Sequence, residues 1–200
     1  MPTHIADEQV AAELVEARQA YGQDRQDEVW EGTYVIMPLG NEEHQGVATR
    51  LASILDHAVA YAAGDRIYAG LNVTDVVPPD DWRRNFRCPD VAVYLSGNPR
   101  VRNGAATVGG PDLAVEIVSP GDRSREKFDF YAAVGTQELL VVDRDPWSLE
   151  LYRLEDDVLT SVARGARVTT QSVPAVWQIA EGGGGDTPLA LTCGGREWAV

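Results

Sequence analysis

The chain has 200 residues and a mass of 21.7 kDa, enough to bury the core of one domain without disulfides or metals. Hydrophobic residues make up 44% and charged residues 24%, as in soluble globular proteins, and no apolar run reaches the roughly 20 residues of a membrane span. The net charge of −14 argues against a general nucleic-acid coat protein, because phosphate binding needs a positive surface.

The compartment is indicated by the first ten residues and by the cysteines. MPTHIADEQV has neither the basic region nor the apolar core of a secretory signal. Cys88 and Cys193 lie far apart with no CxxC motif, so a disulfide scaffold or a cysteine zinc site is not expected. We therefore expect a cytoplasmic protein in a reducing setting, with no membrane partner.

In chain order, the first predicted elements are a short helix over residues 7–21, a strand or hairpin over Val29–Met37, and a long helix over about Glu42–Ala63. Asn41 is placed to cap the long helix. The short helix carries an apolar stripe of Val10, Leu14, Ala17 and Tyr21.

Four strand-like stretches follow, with a helix before the fourth and a glycine-rich loop, 96–110, between the second and third. The four stretches are Arg66–Asp75, Asp90–Leu95, Asp112–Val118 and Leu139–Val142, and the helix runs from Arg125 to about Val134. A final hairpin is predicted from Trp147–Leu154 and Val158–Val162. The order helix, three strands, helix, strand predicts an α/β fold with helices on a mixed sheet. We expect one domain over 1–180 and a flexible tail over 181–200, which contains the glycine run 182–185.

Two carboxylates stand at strand positions where a carboxylate is unusual. Asp90 opens its strand directly after Pro89, and Glu116 lies inside the apolar stretch 113–118. A buried carboxylate is costly unless it is paired, metal-bound or at an open edge. Each residue taken alone reads most simply as a solvent-facing acid. Together, on neighbouring strands, the two carboxylates form a candidate hard-oxygen site for Mg²⁺ or Mn²⁺.

Positive charge is concentrated between Trp82 and Arg102, where five arginines stand against one acid, Asp90, for a local charge of +4. Either this is a solvated loop, or it is a phosphate-binding surface beside Asp90. The five candidate nucleic-acid-binding residues are Arg83, Arg84, Arg87, Arg100 and Arg102.

Six segments between Glu28 and Leu154 resemble a known family. They are EVWEGTYVIMP at 28–38, NEEHQGVATRL at 41–51, PD at 89–90, PDLAVEIVSP at 111–120, the helix with Lys127 and Tyr131, and ELLVVD at 138–143. They are similar to the PD-(D/E)XK nuclease superfamily and, more narrowly, to the small bacterial Uma-two endonuclease-like family, also named domain of unknown function 820.

The resemblance implies a restriction-endonuclease-like αβββαβ core and hydrolysis of nucleic-acid phosphodiester bonds, with DNA as the expected partner. It implies Mg²⁺, with Mn²⁺ able to substitute, held by Asp90, Glu116 and the main-chain carbonyl of Ile117. Such a fold would permit a homodimer, which no feature of the sequence indicates.

The superfamily's lysine is missing from its usual place. It would stand two residues after Glu116 on the same strand face, where this chain has Val118. The sequence contains 16 arginines and one lysine, Lys127, which lies in the following helix. Either Lys127 takes over the catalytic role, or it is a surface lysine in a charged first turn.

Three further residues are candidates by the same resemblance. His44 matches a histidine usual in the family and would contact phosphate or the attacking water, or else cap or pack its helix. Glu28 and Glu43 are possible additional carboxylates of the site.

Two other functions remain open. The missing strand lysine and the charge of −14 would suit a non-catalytic module of the same fold, serving in assembly or regulation. A metal-dependent hydrolase of a small phosphate compound would need no large basic surface.

Overall fold

The computed structural model describes residues 2–38, 40–59, 64–118, 123–180 and 188–200. The elements up to the middle of the chain are β1 (Thr3–Ile5), α1 (Glu8–Ala20), β2 (Glu28–Trp30), β3 (Thr33–Ile36), α2 (Glu42–Ala58), β4 (Arg66–Ala69), β5 (Asn72–Thr74), a 3₁₀ turn (Trp82–Arg84), β6 (Phe86–Arg87), β7 (Val91–Tyr94), β8 (Val101–Asn103) and β9 (Ala106–Val108).

The second half continues with longer strands. It contains β10 (Leu113–Val118), a 3₁₀ turn (Ser124–Lys127), α3 (Phe128–Ala133), β11 (Glu138–Arg144), β12 (Trp147–Glu155), β13 (Val158–Gly165), β14 (Arg167–Thr170), β15 (Ala175–Ile179), β16 (Leu189–Cys193) and β17 (Arg196–Ala199). No helix in the described ranges is long and apolar enough to cross a membrane.

A six-stranded mixed sheet, here called the central sheet, carries the predicted core. Its strand order is β13-β12-β11-β10-β7-β4, with β10 parallel to β11 and antiparallel to β7. The predicted sequence of α2, three strands, α3 and a fourth strand is confirmed. The long helix is described as far as Ala58, and residues 60–63 of the prediction lie outside the described part of the chain.

The two faces of the central sheet are covered differently. Leu113, Val115 and Ile117 point into a core shared with α2 and with a four-stranded sheet of order β14-β15-β16-β17. Ala114 and Val118 point the other way, toward α3, as strand alternation requires. Glu116 therefore lies on the α3 face of the sheet.

A seven-stranded sheet, here called the outer sheet, has the order β1-β3-β2-β6-β5-β9-β8. Its strand β5 packs against α3 through Val73. The prediction of one strand over Arg66–Asp75 is wrong, because the chain turns at Gly70, where φ is +66°, and passes from the central to the outer sheet. The loop predicted over 96–110 contains the hairpin of β8 and β9.

The prediction of a flexible tail is wrong for residues 188–200, and residues 181–187 lie outside the described ranges. Strands β16 and β17 pair with each other, and β16 pairs with β15. Leu189, Leu191 and Val200 are buried against the core below α2, which explains why this segment is ordered after the glycine run.

Helix α1 is held by polar contacts more than by its apolar stripe. The Arg18 guanidinium donates to both carboxylate oxygens of Asp27, at 2.5 and 3.0 Å, and the Tyr34 hydroxyl also donates to Asp27. None of the residues of α1 is buried, and Val10 and Tyr21 of the predicted stripe are 45% and 80% exposed. The helix was predicted correctly, but its apolar stripe does not reach the core.

Gly110 allows the segment before β10 to approach the turn before β11. A Cβ at this position would lie 2.3 Å from the Thr136 nitrogen and 2.7 Å from the Gly135 carbonyl carbon. We expect Gly110→Ala to lower the free energy of unfolding by about 1–3 kcal/mol, measured by urea denaturation.

Gly46→Ala is the matched control, since nothing lies within 4 Å of a Cβ at this position of α2. It should raise stability by up to about 1 kcal/mol, because alanine favours the helix. Equal stability of Gly110→Ala and the wild type would contradict the close approach.

Candidate active site

Asp90 lies where β7 and β10 separate. The two strands pair only from Val91 opposite Val115 onward, so the Ile117 amide has no partner on β7. The Asp90 carboxylate takes this place, accepting from the Ile117 N–H at 2.7 Å through Oδ2. The start of one strand thus fixes a carboxylate beside the end of its neighbour.

Glu116 is 2% exposed and accepts hydrogen bonds on both carboxylate oxygens. The Tyr131 hydroxyl of α3 donates to Oε1, and the Ser124 hydroxyl donates to Oε2 at 3.2 Å. The Lys127 ammonium lies 3.2 Å from Oε1 and 3.3 Å from Oε2. The 3₁₀ turn and α3 thus supply all three donors from one short segment of chain.

Lys127 is shared between two carboxylates. Its Nζ is 2.9 Å from Glu28 Oε1 and 3.2 Å from Glu116 Oε1, and its side chain is 2% exposed. Lys127 therefore lies inside the protein beside Glu116 and is not a surface lysine of a charged turn.

Glu28 enters the site from the outer sheet. Besides Lys127, its carboxylate accepts from the Trp30 indole N–H at 2.5 Å and from the Cys88 backbone N–H at 2.8 Å. Glu43, the other suggested carboxylate, instead pairs with Arg144 at 2.5 Å, with its side chain 44% exposed.

His44 faces Asp90 from the first turn of α2. Its Nε2 is 3.3 Å from Asp90 Oδ2, and its Nδ1 is buried without a hydrogen-bond partner in the described structure. Gly40 makes room for the ring, because a Cβ there would lie 2.5 Å from Nδ1. Although burial opposes protonation of the imidazole, the hydrogen bond and charge of Asp90 raise the pKa of His44 above its ordinary value.

These side chains line one cavity of about 400 Å³. Its wall includes Glu28, His44, Asp90, Glu116, Ile117 and Lys127. Among the described residues, no group of three or more His, Cys, Asp and Glu side chains is arranged to hold a metal ion. The cavity wall contains three carboxylates, those of Glu28, Asp90 and Glu116, whose oxygens are the donors that divalent cations such as Mg²⁺ prefer.

Electrostatics in the cavity are set by burial and by the carboxylates that surround Lys127. Burial, together with the charges of Asp90 and Glu28, raises the pKa of Glu116 to about 7, against the opposing effect of Lys127. Burial alone would lower the pKa of Lys127, but the charges of Glu116 and Glu28 hold it above its ordinary value. The site is therefore a place where an added cation would relieve repulsion between carboxylates.

The predicted arginine surface is not at this cavity. None of the described residues that line it is an arginine. Arg83 and Arg84 line a second cavity, beside α1. Glu28 lines the first cavity and the next residue of β2, Val29, lines the second. Because consecutive residues of a strand point to opposite faces, the two cavities lie on opposite faces of the outer sheet. Arg100 lies over the Tyr94 ring, with a distance of 4.9 Å to the centroid, and Arg102 is exposed on β8.

The prediction that Arg87 contacts nucleic acid is wrong, because its side chain is 2% exposed. Its guanidinium donates to the Val29 carbonyl at 2.6 Å and to Glu31 Oε1 at 2.8 Å. It also lies over the rings of Trp30 and Phe130, at 5.0 and 4.4 Å from their centroids. Arg87 is a structural residue that joins β6 to β2 and α3.

Tyr131 and Ser124 were not among the predicted site residues. Tyr131 stood in the sequence only as part of the helix segment that carried the family resemblance. Its spacing from Lys127, one helical turn, was an available sign that both side chains face the same strand. Ser124 had no predicted role in the site, and its hydroxyl donates to Glu116.

Comparison with known proteins gives one family and a related structure. Residues 13–181 match the model of the Uma2 family, described as "Putative restriction endonuclease". A crystal structure from Anabaena variabilis, described as "a putative nuclease belonging to DUF820", superposes with a TM-score of 0.57 and 21% sequence identity, over 73% of this chain and 82% of the other. This likeness confirms the predicted restriction-endonuclease-like fold class. The comparison with curated proteins gives no match.

The raised pKa of Glu116 makes stability depend on pH. Below its usual pKa of 4.5 the Glu116 carboxyl is protonated in both the folded and the unfolded protein. Between pH 4.5 and about 7 the folded protein binds this proton more tightly than the unfolded protein does. This stabilising contribution is lost as the pH rises through about 7. The side chain in Glu116→Gln carries no charge at any of these pH values. We therefore expect the free energy of unfolding of this variant to exceed that of the wild type by about 1–3 kcal/mol at about pH 8, but not below pH 4.5.

Urea unfolding of both proteins in EDTA at the two pH values measures this difference. Glu42→Gln, the same change at an exposed glutamate of α2, serves as control. A difference between wild type and Glu116→Gln that stays constant with pH would contradict the raised pKa.

Arg87→Ala should destabilise the fold by about 2–4 kcal/mol, because it leaves the Val29 carbonyl without its donor and removes the contacts with two rings. Arg83→Ala, at a side chain 62% exposed, should change stability by less than about 0.5 kcal/mol. Equal thermal unfolding temperatures for the two variants would show that Arg87 is not structural.

Proposed function

From the premise that the chain belongs to the Uma2 family of restriction-endonuclease-like proteins, we propose that it is a metal-dependent endonuclease that hydrolyses phosphodiester bonds in DNA. The observation that supports this most is the convergence of Asp90, Glu116 and Lys127 on one cavity, with the ammonium 3.2 Å from the Glu116 carboxylate. The two free cysteines support a reducing, cytoplasmic setting for this activity.

Mg²⁺, or Mn²⁺ in its place, would be held by Asp90, Glu116 and the main-chain carbonyl of Ile117. The fit rests on the donors present, since carboxylate and carbonyl oxygens suit these cations and the carboxylates repel one another in the cavity. When bound, the cation would polarise the scissile phosphate and lower the pKa of a water molecule.

Lys127 would supply the positive charge that the superfamily places on the strand. Its ammonium, fixed by Glu28 and Glu116, is oriented before any substrate arrives. A charge held in place in this way stabilises negative charge that develops on the phosphate, and such a group is typically worth about 10²–10³ in rate.

His44 would act next to Asp90. Its Nε2 contact fixes the ring against the carboxylate, and its raised pKa favours a protonated imidazole beside a phosphate. We assign it the role of binding phosphate or orienting the attacking water.

One observation favours a second function. A cavity of about 400 Å³ whose described lining contains no arginine would also suit a metal-dependent hydrolase of a small phosphate compound. Cleavage of a nucleotide, but not of DNA, would favour this function over the endonuclease.

Calorimetry with Mn²⁺ tests the metal site. Asp90→Asn keeps an oxygen to accept from the Ile117 N–H but loses the charge, so we expect at least about 10-fold weaker Mn²⁺ binding. Asp112→Asn is the matched control, since Asp112 accepts from the Leu95 N–H at a strand start in the same way and does not line the cavity. Equal affinity of Asp90→Asn and the wild type would refute the metal site.

Cleavage of DNA in Mg²⁺ tests the lysine. Lys127→Met keeps the length of the side chain, fills its buried space and removes the charge. We expect the cleavage rate to fall about 10²-fold or more while Mn²⁺ binding is retained. Wild-type cleavage by a folded Lys127→Met protein would show that the reaction does not use this lysine, and absence of cleavage by the wild type would favour a non-catalytic module or the small-phosphate hydrolase.

A further inference from the structure

A row of side chains crosses the central sheet from the candidate active site to its far edge. In the strand register, Glu116 of β10 lies opposite Val141 of β11, Val141 opposite Glu150 of β12, and Glu150 opposite Arg164 of β13. Cross-strand neighbours point to the same face of a sheet, so all four lie on the face that carries α3.

Two arginines meet on Glu150. The Arg125 guanidinium donates to Glu150 Oε1 at 2.9 Å, and an Arg164 terminal nitrogen lies 3.3 Å from the same oxygen. The Glu150 side chain is only 6% exposed, whereas those of Arg125 and Arg164 are 47% and 73% exposed. The buried carboxylate thus holds both guanidinium groups at the surface. The three residues together are here called the arginine pair on Glu150.

Glu150 is a firm anchor for this arrangement. The Tyr152 hydroxyl donates to its other oxygen at 2.6 Å. Although burial opposes ionisation, this hydrogen bond and the charge of Arg125 lower the pKa of Glu150 below its ordinary value, so it stays charged near neutral pH. Two positive charges against one negative charge leave the group with a net charge of about +1.

The arginine pair has donors left for a ligand. A guanidinium carries five N–H groups, and the contacts with Glu150 use one terminal nitrogen of each arginine. The hydrogen bond to Glu150 orients the Arg125 guanidinium before binding, which lowers the entropic cost of contacting a phosphate, and the ion pair keeps Arg164 beside it.

The spacing from the active site suits a nucleic-acid strand. Neighbouring strands of a sheet are about 4.8 Å apart, so Glu150 and Arg164 lie about 10 and 14 Å from Glu116 along the row. Phosphates of one DNA strand advance about 3.4 Å per nucleotide along the duplex axis, so these distances correspond to about three or four nucleotides. Arg125 also belongs to the same 3₁₀ turn as Lys127.

From this geometry we infer that the arginine pair on Glu150 binds backbone phosphates of the nucleic acid whose cleavage is proposed above, a few nucleotides from the scissile bond. The bound strand then passes the exposed guanidinium groups of Arg125 and Arg164, beside the 3₁₀ turn that carries Lys127. Its backbone contacts come from these two arginines, and the arginines at 82–102 do not supply them. The inference rests on the proposed function, because it takes the cavity as the place of cleavage.

Salt dependence of DNA binding provides the test. Fluorescence anisotropy with a labelled duplex, in EDTA to prevent cleavage, gives the slope of log affinity against log salt concentration. Removing one positive side chain that binds a phosphate reduces the magnitude of this slope by about 0.9 for duplex DNA. We expect Arg125→Ala/Arg164→Ala to reduce it by about 1.8 and to weaken binding at low salt at least about 10-fold.

Arg83→Ala/Arg84→Ala is the matched control, because it removes the same charge from exposed arginines away from the cavity. Its slope should equal that of the wild type. Since the first double variant leaves Glu150 without its two arginine partners, the single variant Arg164→Ala provides a second measurement. It keeps the contact between Arg125 and Glu150 and should reduce the slope by about 0.9.

The outcomes separate the inference from the proposed function. If the wild type binds or cleaves DNA and both Arg164 variants keep its slope, the arginine pair is refuted and the nuclease proposal stands. If the magnitude of the slope decreases equally or more in Arg83→Ala/Arg84→Ala, phosphate binding by the arginine pair is also refuted, in favour of binding by the 82–102 surface. If the wild type neither binds nor cleaves DNA, both the pair and the nuclease proposal fail.

Discussion

The ammonium of Lys127, shared between Glu28 and Glu116, is the interaction on which the rest of the structure depends. Its three members come from the 3₁₀ turn before α3, the outer sheet and the central sheet, so one buried contact fixes three layers of the fold. Two carboxylates against one ammonium make the ammonium the partner whose loss is most costly, because both carboxylates would then be buried without a counter-charge. The ammonium therefore offsets the charge of buried carboxylates whatever reaction takes place beside it.

Much of the central sheet could be predicted because its information is local. The alternation of Leu113, Val115 and Ile117 against Glu116 assigns the two faces of β10 without any knowledge of its neighbours. The sequence left Lys127 open between a role beside Glu116, favoured by the family resemblance and by its being the only lysine, and a place on the surface. Val118, at the usual lysine position, lies in an apolar cluster with α3, so the strand face has room for a hydrocarbon side chain there and the charge reaches Glu116 from the helix side.

The assignment of the other strands to their sheets depends on pairing between distant parts of the chain. The alternation of apolar and polar residues in one sequence does not reveal this pairing. Nothing in the stretch 66–75 shows that its two halves join different sheets, because both halves have strand-like composition. Arg164 is a second case. The register shifts between Leu151 and Tyr152 of β12, where Val162 is left unpaired on β13, so counting alternate residues from Ser161 would assign Arg164 to the wrong face. Clustering of arginines in the sequence was likewise a poor guide, since Arg87 of that cluster is in the interior.

Asp27 and Glu28 are neighbours in the chain with different tasks. Asp27 holds α1 through Arg18, and Glu28 holds Lys127. A β-strand has a period of two, so inserting or deleting one residue here would exchange the directions of the two carboxylates and release both partners at once. A substitution of either acid removes one of these contacts, whereas a change in the length of this segment removes both. Among diverged sequences with this architecture, we therefore expect loops to vary in length on either side of residues 27–30, while the spacing between these two acids stays constant.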